Sequence, residues 1–179
     1  MNILVTGGAG YLGSVLVGKL LEQNHKVRVL DVLMFGGESI LPFIYNKRFE
    51  FIKEDVRGKQ IVSEALTNID CVFHLAALVG EPACVINPEL TKQINYESAI
   101  SLGKLAKKNR VKRFIFTSTC SNYGISTLNE LAIEESPLKP LSLYAETKIS
   151  TEKDLLKLSS KNFSVCILRL ATIFGLSPR

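Results

Sequence analysis

Short apolar runs along the chain alternate with longer segments that place apolar residues on one helical face. The runs are rich in Val, Ile, Leu and Phe with little polar alternation, which is typical of strands buried on both faces of a parallel sheet. They predict six strands, at Asn2–Thr6, Lys26–Asp31, Phe49–Lys53, Asp70–Leu75, Arg113–Ser118 and Val165–Leu170. The segments between them predict four helices, at Tyr11–Gln23, Lys59–Leu66, Pro88–Asn109 and Leu143–Ser160.

The order of these elements predicts the architecture. Alternating strands and helices join in right-handed βαβ units, which build an α/β fold: a doubly wound parallel sheet with helices on both faces. No repeat or linker interrupts the pattern, so we expect residues 1–179 to form one domain. A sheet of this kind binds its ligand beyond the carboxyl ends of its strands. Because little sequence follows the last strand to form the far wall, we expect a fragment that lacks a C-terminal substrate domain.

Composition limits the class of protein. Of the 179 residues, 46% are hydrophobic and 22% are charged, which supports a buried core and excludes a disordered chain. An excess of 22 basic over 17 acidic residues gives a net charge of +5, which suits an anionic ligand. The four cysteines are widely spaced, without a metal or disulfide pattern. We expect a cytoplasmic protein with reduced thiols, no metal, no signal peptide and no membrane span.

A glycine-rich turn joins the first strand to the first helix. Gly7, Gly10 and Gly13 occur three residues apart within the sequence TGGAGYLG. Residues without a Cβ let backbone N–H groups approach a pyrophosphate at the helix N-terminus, and the third glycine permits close contact between helix and strand. A simple tight turn is the alternative interpretation. Because a strand precedes the turn and an amphipathic helix follows it, we predict a dinucleotide-binding Rossmann domain, with Tyr11 and Leu12 also at the cofactor.

The second strand ends at Asp31, 18 positions after Gly13. A carboxylate there can accept hydrogen bonds from the ribose hydroxyls of the adenosine, and it repels a 2′-phosphate. The next residues are Val32, Leu33 and Met34, so no arginine immediately follows to bind such a phosphate. The pattern favours NAD over NADP; an aspartate that only caps a loop is the alternative.

Tyr144 and Lys148 lie four residues apart, on one face of a predicted helix. A phenol with a pKa of about 10 is a poor base at neutral pH. A neighbouring ammonium, together with a nicotinamide cation, would lower that pKa towards neutrality. The spacing also fits a surface tyrosine beside a solvated lysine. The polar sequence TSTCSNYG over 117–124, at the end of a strand, favours the catalytic interpretation.

Taken together, the glycine-rich turn, the sequence HLAA at 74–77, the TSTCSNYG segment and the Tyr144–Lys148 pair resemble the extended short-chain dehydrogenase/reductase family. They are most similar to its NAD-dependent epimerase/dehydratase branch, which acts on nucleotide sugars. The resemblance extends over nearly the whole chain, and the motifs are specific in combination. It implies NAD as the cofactor and a nucleotide sugar as the substrate.

The resemblance assigns roles to individual residues. Tyr144 corresponds to the catalytic acid/base, which also contacts the cofactor. Lys148 corresponds to the residue that binds the nicotinamide ribose and lowers the tyrosine pKa, and Thr119 to the Ser/Thr that hydrogen-bonds the substrate hydroxyl. The other cofactor residues that it implies are Asp55 and Val56 at the adenine, Leu75, Ala76 and Ala77 near the nicotinamide, Asn95 on the following helix, and Thr117. His74 corresponds to a packed, structural histidine.

The residues after Thr119 narrow the chemistry. The sugar 4,6-dehydratases carry Asp-Glu there, the acid and base that eliminate water, whereas this chain has Cys120 and Ser121. Neither side chain does the work of a carboxylic acid at neutral pH, so dehydration is disfavoured. We interpret Cys120 as a packing residue rather than a nucleophile, because the sequence shows no partner base for it.

The implied reaction is oxidation of a sugar hydroxyl at C4, with Tyr144 taking the proton and NAD the hydride. An epimerase returns the hydride to the opposite face of the 4-keto intermediate, whereas a ketoreductase or dehydrogenase starts from the ketone or releases it. The sequence does not distinguish clearly between an epimerase and a ketoreductase or dehydrogenase, and we take epimerisation as the first prediction. A non-catalytic NAD-binding module is the third alternative, although it would not require the Thr119–Tyr144–Lys148 set. From a fragment we expect weak turnover or none.

Two surface features bear on partners. Basic residues surround the end of the third predicted helix, at Lys104, Lys107, Lys108, Arg110, Lys112 and Arg113. Cations there favour the helix dipole, and no aromatic residues lie between them, so a solvated helix end is predicted rather than a nucleic-acid site. The apolar stripes at 88–109 and 143–160 exceed what the sheet requires, and members of the family pair through such helices. We therefore predict a homodimer.

Overall fold

Six parallel strands form one sheet in the computed structural model, which describes residues 1–125 and 131–179. The strands are β1 (Asn2–Thr6), β2 (Lys26–Asp31), β3 (Phe49–Lys53), β4 (Cys71–His74), β5 (Arg113–Thr119) and β6 (Ser164–Leu170). Their order is β3-β2-β1-β4-β5-β6, and all neighbouring pairs are parallel. The predicted doubly wound sheet is confirmed; only β4, β5 and β6 have ends that differ from the prediction, each by one residue.

In the described residues, six α-helices connect or flank the strands. They are α1 (Tyr11–Glu22), α2 (Lys59–Ala65), α3 (Glu81–Ile86), α4 (Pro88–Lys92), α5 (Ser98–Lys108) and α6 (Leu143–Lys157). A π-helical turn, Gln93–Glu97, joins α4 to α5, so the single helix predicted over 88–109 contains a wider turn in its middle. The sequence pattern did not predict α3, or the 3-10 helices Glu38–Phe43 and Cys120–Tyr123. Within the described ranges, no helix is both long and apolar enough to cross a membrane.

Helices cover both faces of the sheet, as predicted. On one face the core joins the sheet to α2, α5 and α6 and includes Leu102, Phe114 and Leu155, which are almost completely buried. On the other face α1 packs on β1 and β2 through Val17. This second face is more open at β6, where Leu168 is 39% exposed.

The apolar stripes of the long helices are largely used within the chain. Ala99, Leu102 and Ala106 of α5 are buried in the core, and in α5 and α6 together the exposed large apolar side chain is Leu156, at 49%. The stripes therefore do not exceed what the sheet and the neighbouring helices cover. The apolar stripes therefore give no support to the predicted homodimer, because they are covered within the chain.

The order of the strands places a crevice beside β1. From β1 the chain first builds outward through β2 and β3, and then returns to the other side of β1 to add β4, β5 and β6. In an open α/β sheet, the point at which the strand order reverses is where a ligand binds, beyond the carboxyl ends of the strands. Here it is marked by Thr6, whose neighbours in register are Leu30 of β2 and His74 of β4.

Candidate active site

The glycine turn after β1 requires residues without side chains. Gly7 has a φ of +73°, and a Cβ at this position would lie 2.7 Å from the backbone nitrogen of Ala76. A Cβ on Gly13 would lie 2.2 Å from the carbonyl oxygen of Gly7, so α1 approaches the turn as closely as the sequence predicted. No side chain caps α1, whose N-cap residue is Gly10. The N–H groups of the first helical turn are donors suited to an anion.

A cleft of about 840 Å³ opens at this edge of the sheet. Nearly all the predicted site residues line it: Gly7, Gly10, Tyr11, Leu12, Gly13, Asp31, Asp55, Val56, Leu75, Ala76, Ala77, Thr117, Thr119, Tyr144 and Lys148. The two groups that sequence analysis treated separately, the glycine turn with Asp31 and the polar set with Tyr144, therefore face one cavity. Asn95 is the exception.

Asn95 lies beneath the lining of the cleft and hydrogen-bonds to one of the lining residues. It is 1% exposed and does not line the cavity. Its Oδ1 accepts a hydrogen bond from the backbone N–H of Leu78 (2.8 Å), and its Nδ2 donates to the Leu78 carbonyl (2.9 Å). Leu78 itself lines the cleft. Asn95 thus fixes the loop after β4, and its predicted direct contact with the cofactor stays a prediction.

Asp31 connects the glycine turn to the loop after β2. Its Oδ2 accepts a hydrogen bond from the backbone N–H of Ala9 (3.0 Å) and its Oδ1 one from that of Leu33 (2.8 Å). The second bond accompanies a left-handed backbone at Leu33, with a φ of 59°. Each carboxylate oxygen retains capacity for a further donor, such as a ribose hydroxyl.

Asp55 has a partner that sequence reasoning missed. The Arg57 Nη2 lies 2.7 Å from the Asp55 Oδ2, and the backbone N–H of Arg57 donates to Oδ1 at 2.8 Å. The hydrogen bonds from Arg57 lower the pKa of the Asp55 carboxyl. Arg57 also lines the cleft. A ligand at this end of the cavity therefore contacts an ion pair rather than a single carboxylate. The sequence offered one sign of this pair, since Arg57 follows Asp55 by only two residues.

Tyr144 and Lys148 lie on α6, which begins after Ser142 caps it by accepting a hydrogen bond from the Ala145 N–H (3.3 Å). Lys148 is 3% exposed. Its Nζ donates to the Thr117 carbonyl at 2.8 Å and lies 5.7 Å from the centre of the Tyr144 ring. The lysine therefore connects the helix to the end of β5, inside the cleft.

Burial dominates the acid–base properties of this pair. It lowers the pKa of Lys148 to about 8 and raises the pKa of Tyr144 to about 12. In the chain without a cofactor, Lys148 therefore does not lower the pKa of Tyr144 as predicted, because desolvation of the phenol raises it. Depression by a cofactor cation stays a prediction.

Thr119 ends β5 and faces the same cavity. Its Oγ1 accepts a hydrogen bond from the Ser121 N–H at 3.1 Å and donates to the Ser121 Oγ at 3.2 Å, so it caps the 3-10 helix Cys120–Tyr123. That helix leaves Cys120 exposed, and the interpretation of Cys120 as a packing residue is wrong.

His74 occupies the core beneath the cleft. It is 1% exposed, its Nδ1 lies 2.7 Å from the Thr6 Oγ1, and its ring stacks on Phe116 with the ring centres 5.9 Å apart. Burial lowers the pKa of His74 to about 3, so the ring is neutral at physiological pH. The structural interpretation of this histidine is confirmed.

The chain after β6 forms a wall of the cleft that sequence reasoning did not foresee. The Tyr11 hydroxyl donates to the Gly175 carbonyl (2.5 Å), and the Ser177 hydroxyl donates to the Tyr11 carbonyl (2.8 Å). Arg179 lines the cavity with its guanidinium 4.1 Å from the centre of the Phe35 ring. Residues near the end of the chain thus contact the glycine turn, 164 or more positions away.

Known proteins are similar to this chain over almost its whole length. The profile of the NAD dependent epimerase/dehydratase family matches residues 3–179. The chain belongs to this family. A putative UDP-glucose 4-epimerase of Methanocaldococcus jannaschii is 32% identical over 178 residues, which are 97% of this chain and 56% of that protein. The chain spans about half the length of the curated relatives it matches.

Solved structures show the same fold. The UDP-Glc/GlcNAc 4-epimerase of Campylobacter jejuni superposes with a TM-score of 0.87 at 31% identity, covering 94% of this chain and 52% of that one. The UDP-glucose 4-epimerase of Thermus thermophilus, solved as a complex with NAD, has a TM-score of 0.86 at 32% identity, covering 94% and 54%. Together with the strand order, these similarities confirm the predicted Rossmann-type sheet.

Proposed function

We propose that these residues form the NAD-binding and catalytic site of an enzyme that interconverts C4 epimers of a nucleotide sugar. One observation carries the proposal. Thr119, Tyr144 and Lys148 face the same cleft as the glycine turn and Asp31. A protein that only bound a dinucleotide would need the turn and the aspartate, but not a hydroxyl, a phenol and an ammonium together in the same cleft.

The residues present fit NAD. The uncapped N-terminus of α1 would hold the pyrophosphate, Asp31 the adenosine ribose, and Lys148 the nicotinamide ribose. The ammonium of Lys148 is fixed by the Thr117 carbonyl at 2.8 Å and retains donors for a ribose hydroxyl. When bound, the nicotinamide supplies a reversible hydride acceptor.

The chain's own residues handle the proton. Tyr144 as a phenolate removes the proton of the sugar C4 hydroxyl and later returns it, which makes this residue the acid/base. With its pKa at about 12, the phenol needs positive charge nearby to ionise at neutral pH. Lys148 supplies one such charge, and its fixed position avoids reorganisation during the reaction. Thr119, whose hydroxyl donates to the Ser121 Oγ in the free chain, would redirect that proton to the same substrate oxygen.

Epimerisation is preferred to dehydration because the carboxylates that dehydration needs are missing after Thr119. Cys120 is exposed, and Ser121 is occupied by its hydrogen bonds to Thr119. The relatives named above are 4-epimerases of UDP-sugars, and a probable UDP-arabinose 4-epimerase of Arabidopsis thaliana is also similar, at 28% identity over 99% of this chain. We infer that the substrate is a UDP-sugar.

Incubation of the protein with NAD and UDP-glucose or UDP-N-acetylglucosamine, followed by proton NMR of the anomeric signals, tests the proposal. Appearance of the C4 epimer without accumulation of NADH would support it. Formation of NADH in step with a keto sugar would instead identify a dehydrogenase. Because the chain spans about half the length of its relatives, slow conversion is the expected result. Bound NAD with no detectable conversion over a long incubation would identify this chain as a non-catalytic NAD-binding module and overturn the proposal.

The homodimer and the cytoplasmic location stay predictions. We propose the homodimer on the family resemblance alone. Sedimentation velocity at micromolar concentration tests that proposal, and a monomer throughout would exclude it.

A further inference from the structure

A buried carboxylate lies on the helix that carries the acid/base pair. Glu152 follows Lys148 by one turn of α6 and is 2% exposed. Its Oε1 accepts hydrogen bonds from the Ser118 hydroxyl and from the Asn122 Nδ2, the latter at 2.7 Å. Glu152 therefore contacts both the end of β5 and the 3-10 helix that follows it, on either side of Thr119.

Arg169 of β6 completes the arrangement. Its Nη2 lies 2.7 Å from the Glu152 Oε2, and its Nε lies 3.1 Å from each carboxylate oxygen. Its Nη1 donates to the Tyr123 hydroxyl at 3.0 Å and to the Glu134 carbonyl at 2.9 Å. The two charged groups pair with each other and connect five segments: α6, β6, the end of β5, the 3-10 helix and the chain at Glu134. Such additional hydrogen bonds are what an ion pair with a buried carboxylate requires.

These contacts converge on the short segment that presents Thr119. Lys148 holds the Thr117 carbonyl, while Glu152 holds Ser118 and Asn122. We infer that Glu152 and Arg169 are positioning residues that hold the segment of Thr119 against the helix of Tyr144, and that Glu152 also favours the charged form of Lys148. Neither residue belongs to the proposed catalytic set, and the inference rests on the proposed function of that set.

The charge of Lys148 depends on few neighbours. The titratable groups that bear on it are His74 from β4, Cys84 from α3, and Tyr144 and Glu152 from its own helix. Burial lowers the pKa of His74 and raises the pKa of Cys84 and of Tyr144, so these three are uncharged at neutral pH. Of these four groups, Glu152 is the one that carries negative charge, and Arg169 partly offsets it.

Removing the negative charge of Glu152 and removing the positive charge of Arg169 should therefore shift the pKa of Lys148 in opposite directions. Glu152→Gln removes the anion and leaves Arg169 unpaired, so the pKa of Lys148 should fall by about one unit or more. Arg169→Gln leaves the carboxylate unpaired, so that pKa should rise. The measurement is a pH titration of the Lys148 side chain by NMR of lysine labelled at Cε, assigned with Lys148→Met. At pH 8 a fall of one unit from a pKa of about 8 reduces the charged fraction of Lys148 about fivefold, so Glu152→Gln should bind NAD about fivefold more weakly at that pH.

A merely structural role gives a different result. Both variants would then lower the melting temperature while the lysine titration stayed in place or moved in one common direction, which would overturn the inference. Glu152→Asp keeps the charge with a shorter side chain and should restore the lysine titration. Glu146→Gln, the same substitution at an exposed position of α6, is the matched control and should change neither quantity. None of these readouts requires turnover, so failure of the proposed epimerase activity would be seen separately.

Discussion

Replacement of Tyr144 by Phe is expected to reduce conversion of the nucleotide sugar by about 10²- to 10⁴-fold, the range typical for loss of a general acid/base. Phenylalanine preserves the half-buried ring between α6 and the cleft but removes the hydroxyl that exchanges the proton. The initial rate of epimer formation at saturating NAD measures the effect. Because Tyr144 acts on the substrate, the affinity for NAD should change by no more than about threefold.

Tyr96 provides the matched control for this substitution. Its hydroxyl bonds to Asp154 on the outer side of the helices, and the residue does not line the cleft. Tyr96→Phe should therefore leave the rate within about twofold of the unmodified protein. Equal turnover by Tyr144→Phe and the unmodified protein would remove Tyr144 from the mechanism.

Substitution of Gly13 by Ala is expected to abolish measurable NAD binding and to destabilise the fold. The added Cβ would meet the Gly7 carbonyl oxygen at 2.2 Å and the Gly8 Cα at 2.7 Å. Both are backbone atoms, so the glycine turn itself must move. Overpacking of this kind costs roughly 1–3 kcal/mol, and the displaced N–H groups would no longer face an anion. Thermal unfolding and calorimetric titration with NAD measure the two effects.

Gly18 tests whether any alanine in this helix has the same effect. It lies in the interior of α1, where a Cβ would be 3.4 Å from the Phe43 ring. That distance is near ordinary contact, and alanine favours a helix over glycine by about 1 kcal/mol. Gly18→Ala should keep NAD binding and unfold at an equal or higher temperature. Normal NAD binding by Gly13→Ala would show that the turn does not hold the pyrophosphate.

The ends of the strands could be predicted to within one residue because buried strands consist mainly of apolar residues. β1, β2 and β3 begin and end at the predicted residues. In β1, four of the five residues are buried, and a strand covered on both faces allows few polar positions. The cleft could be predicted for a related reason. The carboxyl ends of β1, β2, β4 and β5 meet at one edge of the sheet, so residues that follow those strands come together even when they are far apart in sequence.

Other features depend on contacts that local pattern does not encode. α3 escaped prediction because Val85 and Ile86 are exposed and no amphipathic period marks it. Asn95 matched a family position, but the π-helical turn directs its amide to the Leu78 backbone rather than to the cavity. Arg169 could be interpreted as structural from sequence, yet its partner Glu152 on α6 is known only once the helix packs on β5 and β6.

Calorimetric titration of the protein with NAD and, separately, with NADP tests the central claim most directly. One NAD per chain is expected, with NADP bound at least about tenfold more weakly, because the Asp31 carboxylate would repel the added 2′-phosphate. The variant Asp31→Asn, which removes the charge, should narrow that difference. Absence of NAD binding, or equal affinity for the two dinucleotides, would contradict the account.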